Sequence, residues 1–153
     1  LTIGYVGDGD NNVAHSLCLG AAMLGMNFRC GSPTRYFLNE EIIKKASKYY
    51  VDILQTEDPK EAVLGADVVV TDTWISMGDT DKESRIKKFK KYQVNQALME
   101  YAKKDAIFMH CLPAYRGKEV TVEVIDGPQS VVFQEAENRL HLQKALMIFL
   151  LRG

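Results

Sequence analysis

Asp67-Val68-Val69-Val70-Thr71 sets three consecutive valines between an acid and a threonine, and its reading decides the fold. β-branched side chains lose rotamer freedom in a helix and pack well on a pleated surface. An apolar run without polar alternation suits a strand covered on both faces, at the centre of a parallel sheet. Parallel neighbours need long crossovers, usually helical, so helices are expected on either side of this run. Upstream, Asp58-Pro59-Lys60-Glu61 reads as a capping box with Pro at the first helical position, opening a helix that stops at Gly65. Val51 to Gln55 is a short strand before it. Downstream, a loop from Asp72 to Asp79 leads to helical segments near Lys82–Lys91 and Gln96–Lys103, then a strand from Ala106 to Met109.

The same alternation extends to both ends. Thr2 to Val6 reads as a first strand, Gly7 to Asn12 as a loop, and Val13 to Leu24 as a helix closed by Gly25 in the left-handed conformation. Asn27 to Cys30 is a second strand, and Glu40 to Tyr50 a helix with Asn39 as N-cap and acids in its first turn. After the loop from His110 to Gly117, Ser130 to Phe133 reads as one more extended segment and Glu137 to Leu151 as a long helix, apolar on most faces toward its end. Strands and helices in alternation predict one doubly wound three-layer α/β/α domain over residues 1–153, with a mainly parallel sheet of about five strands.

At 153 residues, 46% hydrophobic and 25% charged, the composition is that of a globular domain with a proper core. A formal charge of −1 gives no global field for nucleic acid or an anionic membrane. Lys87, Lys88, Lys90 and Lys91 form the wet face of an amphipathic helix, because Ile86, Phe89 and Tyr92 interleave at helical spacing. No stretch approaches the roughly 20 apolar residues of a membrane span. Leu1 lies inside a strand-like segment with no initiator Met, which predicts an excised domain. Cys18, Cys30 and Cys111 are odd in number and unpaired in spacing, which predicts a reduced intracellular compartment and no structural metal site.

A Gly-rich loop between the first strand and a helix invites a dinucleotide reading, which fails on its residues. Gly7 and Gly9 fit, but Asn12 stands at the third glycine position, and the second strand ends in Arg29-Cys30-Gly31 with no acid for a ribose. No cofactor is expected.

In open parallel sheets, ligands bind beyond the carboxyl ends of the strands where strand order reverses. Three such loops carry unusual polar residues: Asn11 and Asn12, Asp72 to Gly78, and His110-Cys111-Leu112-Pro113. If the first and fourth strands are neighbours, all three face one crevice. The set suits a zwitterionic amino acid. Asp72 at a rigid strand end offers a carboxylate for an ammonium group, while asparagine amides and the backbone of Ser76-Met77-Gly78 offer donors to a carboxylate. Taken singly, each residue also has a structural reading: Asp72 as a turn cap, Asn11 or Asn12 as an N-cap, Trp74 and Met77 as packing, Cys111 as a small buried hydrophobe. His110 and Cys111 point to opposite faces of an extended chain, so adjacency alone does not pair them. Pro113 is expected to hold Leu112 extended. Arg139, early in the last helix where the dipole disfavours cations, either pairs with Glu135 or faces an anionic substrate from outside the domain.

Asp72-Thr73-Trp74-Ile75-Ser76-Met77-Gly78, His110-Cys111-Leu112-Pro113 and Glu137-Asn138-Arg139 together resemble the ornithine carbamoyltransferase family, with the whole chain matching that family's second domain. The resemblance implies that Asn12, Asp72, Ser76 and Met77 hold the α-amino and α-carboxylate groups of L-ornithine. It implies that Cys111, as the catalytic residue, and the Leu112 carbonyl lie at the reacting amine and carbamoyl group, and that Cys111, Leu112 and Arg139 contact carbamoyl phosphate. The family's phosphate-binding Ser-x-Arg-Thr loop is missing from this sequence. The expected reaction is attack of the ornithine δ-amine on the carbamoyl carbon, giving citrulline and phosphate. Cys111 takes part either as a thiolate that influences the amine's proton or as an orienting hydrogen-bond partner. The Ser-Met-Gly loop is expected to close over ornithine. The family also implies a homotrimer of the intact protein, inactivity of this fragment alone, and a cytoplasmic location, with the mitochondrial matrix as alternative. A transferase for putrescine or an acylated ornithine, and a noncatalytic amino-acid-binding module, are the competing readings.

Overall fold

The computed structural model describes residues 1–75 and 82–152. Within them, β1 (Thr2–Val6), β2 (Asn27–Gly31), β3 (Ile53–Thr56), β4 (Val68–Val70) and β5 (Ile107–Met109) form one sheet in the order β3-β2-β1-β4-β5, with every pairing parallel. The valine run is β4, and it is paired on both edges, Val68 standing beside Ile3 of β1 and Ile107 of β5. This is the covered position that its unbroken apolar character requires.

Helices α1 (Asn12–Met23), α2 (Glu40–Ala46), α3 (Pro59–Val63), α4 (Lys82–Phe89), α5 (Gln96–Met99), α6 (Val122–Ile125) and α7 (Val132–Arg152) fill the crossovers and the carboxyl-terminal stretch. The chain steps outward from β1 to β2 and β3, then returns to the far side of β1 to form β4 and β5. Right-handed crossovers in opposite directions place helices on opposite faces of the sheet. The core divides accordingly. Ile3, Tyr5, Phe28, Cys30 and Val70 pack with Ala14, Cys18 and Ala21 of α1, whereas Val6, Val69 and Phe108 pack with Ala62 and Val63 of α3 and Leu98 and Met99 of α5. Alternate residues of each strand thus serve alternate layers. Helix α3 lies so close that a Cβ on Gly4 would stand 2.8 Å from the Ala62 carbonyl oxygen, so β1 needs glycine there.

The sequence reading of the ends of elements is corrected in several places. Of the two asparagines offered as N-cap, Asn11 caps α1, accepting the Ala14 N–H at 2.8 Å, and the helix starts at Asn12, one residue before the expected Val13. The helix expected over residues 40–50 is α-helical only to Ala46; Ser47–Tyr49 tighten to 3-10 geometry and Tyr50 turns left-handed at φ 56°. Asp58 caps α3 as expected, but the reciprocal bond to its own N–H comes from the Thr56 hydroxyl, which in turn donates to Glu61. Gly25 does turn left-handed, at φ 70°. Ser130 contributes one bridge to Phe108 rather than a strand, and α7 begins at Val132, five residues before the expected start. No described helix is long and apolar enough to cross a membrane.

Candidate active site

β1 and β4 are neighbours, so the loops after β1, β4 and β5 meet at the point where strand order reverses. At the centre stands Asp72, two residues beyond β4, half-buried and fixed by its own turn: Oδ1 accepts the Thr73 N–H at 2.7 Å. The Cys111 thiol donates to the same oxygen at 3.3 Å. Oδ2 takes a long 3.5 Å contact from Asn11 Nδ2, which also donates to the Tyr5 hydroxyl at 3.0 Å. One carboxylate therefore ties together the ends of β1, β4 and β5.

These contacts set the chemistry of Cys111. Burial, then the charge of Asp72 and the hydrogen bond to it, push the thiol up to about 12. A group so placed is a thiol donor near neutrality, which favours the orienting role over the thiolate role. Burial and the Asp72 charge also hold the Tyr5 hydroxyl well above its ordinary range, so it stays protonated beneath the site.

The β5 loop folds back on itself. Leu112 is left-handed at φ 56° before a cis Leu112-Pro113 bond, not extended as expected, because its N–H is turned inward onto His110 Nδ1 at 2.9 Å. His110 is fully buried, and its backbone N–H donates to Glu135 at 3.0 Å. Glu135, on the first turn of α7, is raised by burial, with the His110 contacts opposing. So Glu135 serves His110, and no ion pair links it to Arg139 among the described residues. Because α7 starts at Val132, Arg139 lies two turns into the helix and is exposed, away from the N-terminal turn where the sequence placed it.

A polar cleft of about 430 Å³ opens beside the Asp72 knot, lined by Asp8, Asp10, Asn11, Asn12, Arg35, Tyr36 and Arg85. Asn12 is exposed on its wall as the first residue of α1, while Asn11 is committed to the knot. Ser76, Met77 and Gly78 lie outside the described residues.

Sequence reasoning missed Arg85. From α4 it donates through Nε to the Trp74 carbonyl oxygen at 2.7 Å and through a terminal nitrogen to the buried Asp8 carboxylate. Its guanidinium also lies over the rings of Tyr36, 4.9 Å from the centroid, and Phe89, at 5.3 Å. The side chain thereby joins the β1 loop to the β4 loop, which a planar five-donor fork does and a lysine does not. The available signal was an arginine inside a lysine-rich helix. Burial raises Asp8 while Arg85 opposes that shift.

One ligand atom from each of Asp72, His110 and Cys111 lies within 4.8 Å of the others, a spacing that could receive a metal ion. All three are already engaged, Cys111 with Asp72 and His110 with Leu112, so a metal would have to displace internal hydrogen bonds.

Comparison with known proteins agrees with this geometry. Residues 1–150 match the family model described as Aspartate/ornithine carbamoyltransferase, Asp/Orn binding domain. The ornithine carbamoyltransferase of Caldicellulosiruptor saccharolyticus is 55% identical over 158 residues, covering 100% of this chain and 51% of the relative. That of Archaeoglobus fulgidus is 49% identical, over 99% of this chain and 49% of its own length. Among solved structures, the Pyrococcus furiosus ornithine carbamoyltransferase superposes with a TM-score of 0.89 at 47% identity, covering 96% of this chain and 48% of that one. The anabolic enzyme of Campylobacter jejuni gives 0.90 at 41%, covering 97% and 50%. The chain thus spans about half the length of the relatives it matches. A parallel sheet reversing at β1, a strand-end carboxylate tied to a cysteine, and a family match over nearly the whole chain lead to one conclusion: the chain belongs to the aspartate/ornithine carbamoyltransferase family, as its Asp/Orn binding domain.

Proposed function

We propose that this chain is the ornithine-binding half of a carbamoyltransferase that makes citrulline and phosphate from L-ornithine and carbamoyl phosphate. The observation that carries the reading is Asp72, a carboxylate fixed at the reversal point of the sheet with a thiol donor on one side and Asn11 on the other. Asp72 receives the α-ammonium group, with Asn12, Ser76 and Met77 around the α-amino and α-carboxylate groups. Each charge-assisted hydrogen bond contributes about 1.5–3 kcal/mol, enough to fix the amino acid's orientation when several act together.

The δ-amine then reaches Cys111 and the Leu112 peptide. Its nitrogen forms a bond to the carbamoyl carbon, the carbon–oxygen bond to phosphate breaks, phosphate leaves with the electron pair, and one amine proton is released. Cys111 acts here as a thiol that orients rather than as a base. Positioning and stabilisation of the oxyanion supply most of the acceleration in such a transfer. Arg139, exposed on α7, contacts carbamoyl phosphate, which is held by a second domain of the kind that makes up the rest of the relatives. The complete protein is a homotrimer acting in arginine metabolism in the cytoplasm.

Calorimetry on this chain joined to the amino-terminal half of the Caldicellulosiruptor relative, with inorganic phosphate in place of carbamoyl phosphate so that no transfer occurs, tests the specificity. Ornithine and norvaline should bind and putrescine should not, since putrescine has no α-carboxylate. Binding of putrescine as tight as that of ornithine would overturn the assignment.

A further inference from the structure

Glu119 is wholly buried, yet nothing above gives it a role. It follows the His110 loop, and its Oε1 accepts the Tyr115 N–H at 2.6 Å. The same oxygen stands 3.4 Å from His110 Nε2, a ring nitrogen with no aligned hydrogen-bond partner of its own. At the other side of the ring, Nδ1 accepts the Leu112 N–H. A nitrogen that accepts carries no proton, so the ring proton belongs on Nε2, facing Glu119. Glu119 and Leu112 thus impose the same tautomer from opposite sides of one imidazole.

The consequence falls on the site. Leu112 at φ 56° sits in a region that is unfavourable for a residue with a Cβ, and its N–H bond to Nδ1 opposes that cost. Were the proton on Nδ1 instead, two donors would face each other and the Leu112 peptide would be released. Cys111 is the residue between them, and in this loop conformation its thiol reaches Asp72.

We infer that Glu119 is a positioning residue for the transfer reaction: it holds His110 in the Nε2–H tautomer, so that Nδ1 latches Leu112 and fixes the peptide on which the Cys111 thiol and Leu112 face the reacting amine. Glu119 and His110 themselves are given no substrate contact, and only the kinetic consequence of the latch rests on the proposed function.

Long-range nitrogen-15 NMR of the histidine rings in the 153-residue chain near neutral pH reads the tautomer directly, without substrate. His110 should show a proton on Nε2 and none on Nδ1; a proton on Nδ1 overturns the inference whatever the activity. In the chain joined to the relative's amino-terminal half, Glu119→Gln keeps an acceptor oxygen and should keep kcat within about threefold, whereas Glu119→Leu should lower kcat about 10- to 100-fold, with KM for ornithine within about threefold. His110→Asn places an acceptor where Nδ1 stood and should retain about ten times the kcat of His110→Gln, which imitates Nε2 instead. Equal losses in the two His110 variants would overturn the latch, and this pair stands even if Glu119→Leu does not fold. The right tautomer in a joined protein that makes no citrulline would sink the proposed function and leave the tautomer assignment intact.

Discussion

The strand-end crevice and the second half of α7 are opposites. In the crevice, Asp72, Asn11, Cys111, His110 and Arg85 all find partners inside the chain, and the loops they sit on are tied to one another. Along α7, Leu142, Met147, Phe149, Leu150 and Leu151 are each more than half exposed, and Arg139, which precedes them, is exposed without an ion pair among the described residues. A large exposed apolar surface marks a place where something else packs. The difference teaches that the strand-end loops are fixed by contacts within this chain, whereas the apolar surface along α7 has no such contacts among the described residues.

The comparison breaks most readily at Arg85. If the crevice is self-supporting, Arg85→Ala strands the buried Asp8 carboxylate and should cost about 3–5 kcal/mol of stability in urea unfolding. A loss below about 1 kcal/mol would mean that the loops are held by other contacts. Asp72→Asn keeps the turn but removes the charge. Ornithine affinity of the joined protein should fall about 10- to 150-fold by calorimetry, the equivalent of one charged hydrogen bond. Full affinity would remove Asp72 from the ammonium site.

Cys111 sharpens the comparison through pH. With its thiol pushed up to about 12, iodoacetamide labelling of Cys111, followed by mass spectrometry, should still be rising at pH 10, and Asp72→Asn should move that rise to lower pH. The sign for stability is the same. The folded chain holds this proton more tightly than the unfolded one, so the contribution is present below an ordinary thiol value near 9 and fades as pH climbs toward 12. A labelling plateau by pH 8.5 would contradict the buried thiol donor. The smallest effect is expected at Arg139→Ala: stability should change by no more than about 0.5 kcal/mol, because the side chain is exposed, while turnover of the joined protein falls. A large loss of stability would show that α7 uses Arg139 within this chain.

Much of this was legible in the sequence, for physical reasons that differ by region. The valine run, the caps at Asn39 and Asp58 and the turn at Gly25 are local signals, and local signals survive folding. The start of α7 was misplaced because Val132 and Phe133 read as strand residues until tertiary packing draws Val132 into the core beside β5. Asn12 and Asn11 have identical chemistry, and only the folded cap separates them, sending Asn11 into the knot and Asn12 to the cleft wall. Leu112 was read as extended because the rule for residues before proline knows nothing of the imidazole that captures its N–H. Arg85 and Glu119 went unnoticed, and Glu135 was offered only as a partner for Arg139, because a charged residue in sequence reads as surface, and only burial reveals it as structure.

The most direct test of the two-halves reading is turnover by this chain joined to the amino-terminal half of the Caldicellulosiruptor relative, supplied with carbon-14 carbamoyl phosphate and one amine at a time. Labelled citrulline from ornithine, with no product from aspartate or putrescine and none from the 153-residue chain alone, is the expected result. Labelled carbamoyl-aspartate, or citrulline from the chain by itself, would contradict it.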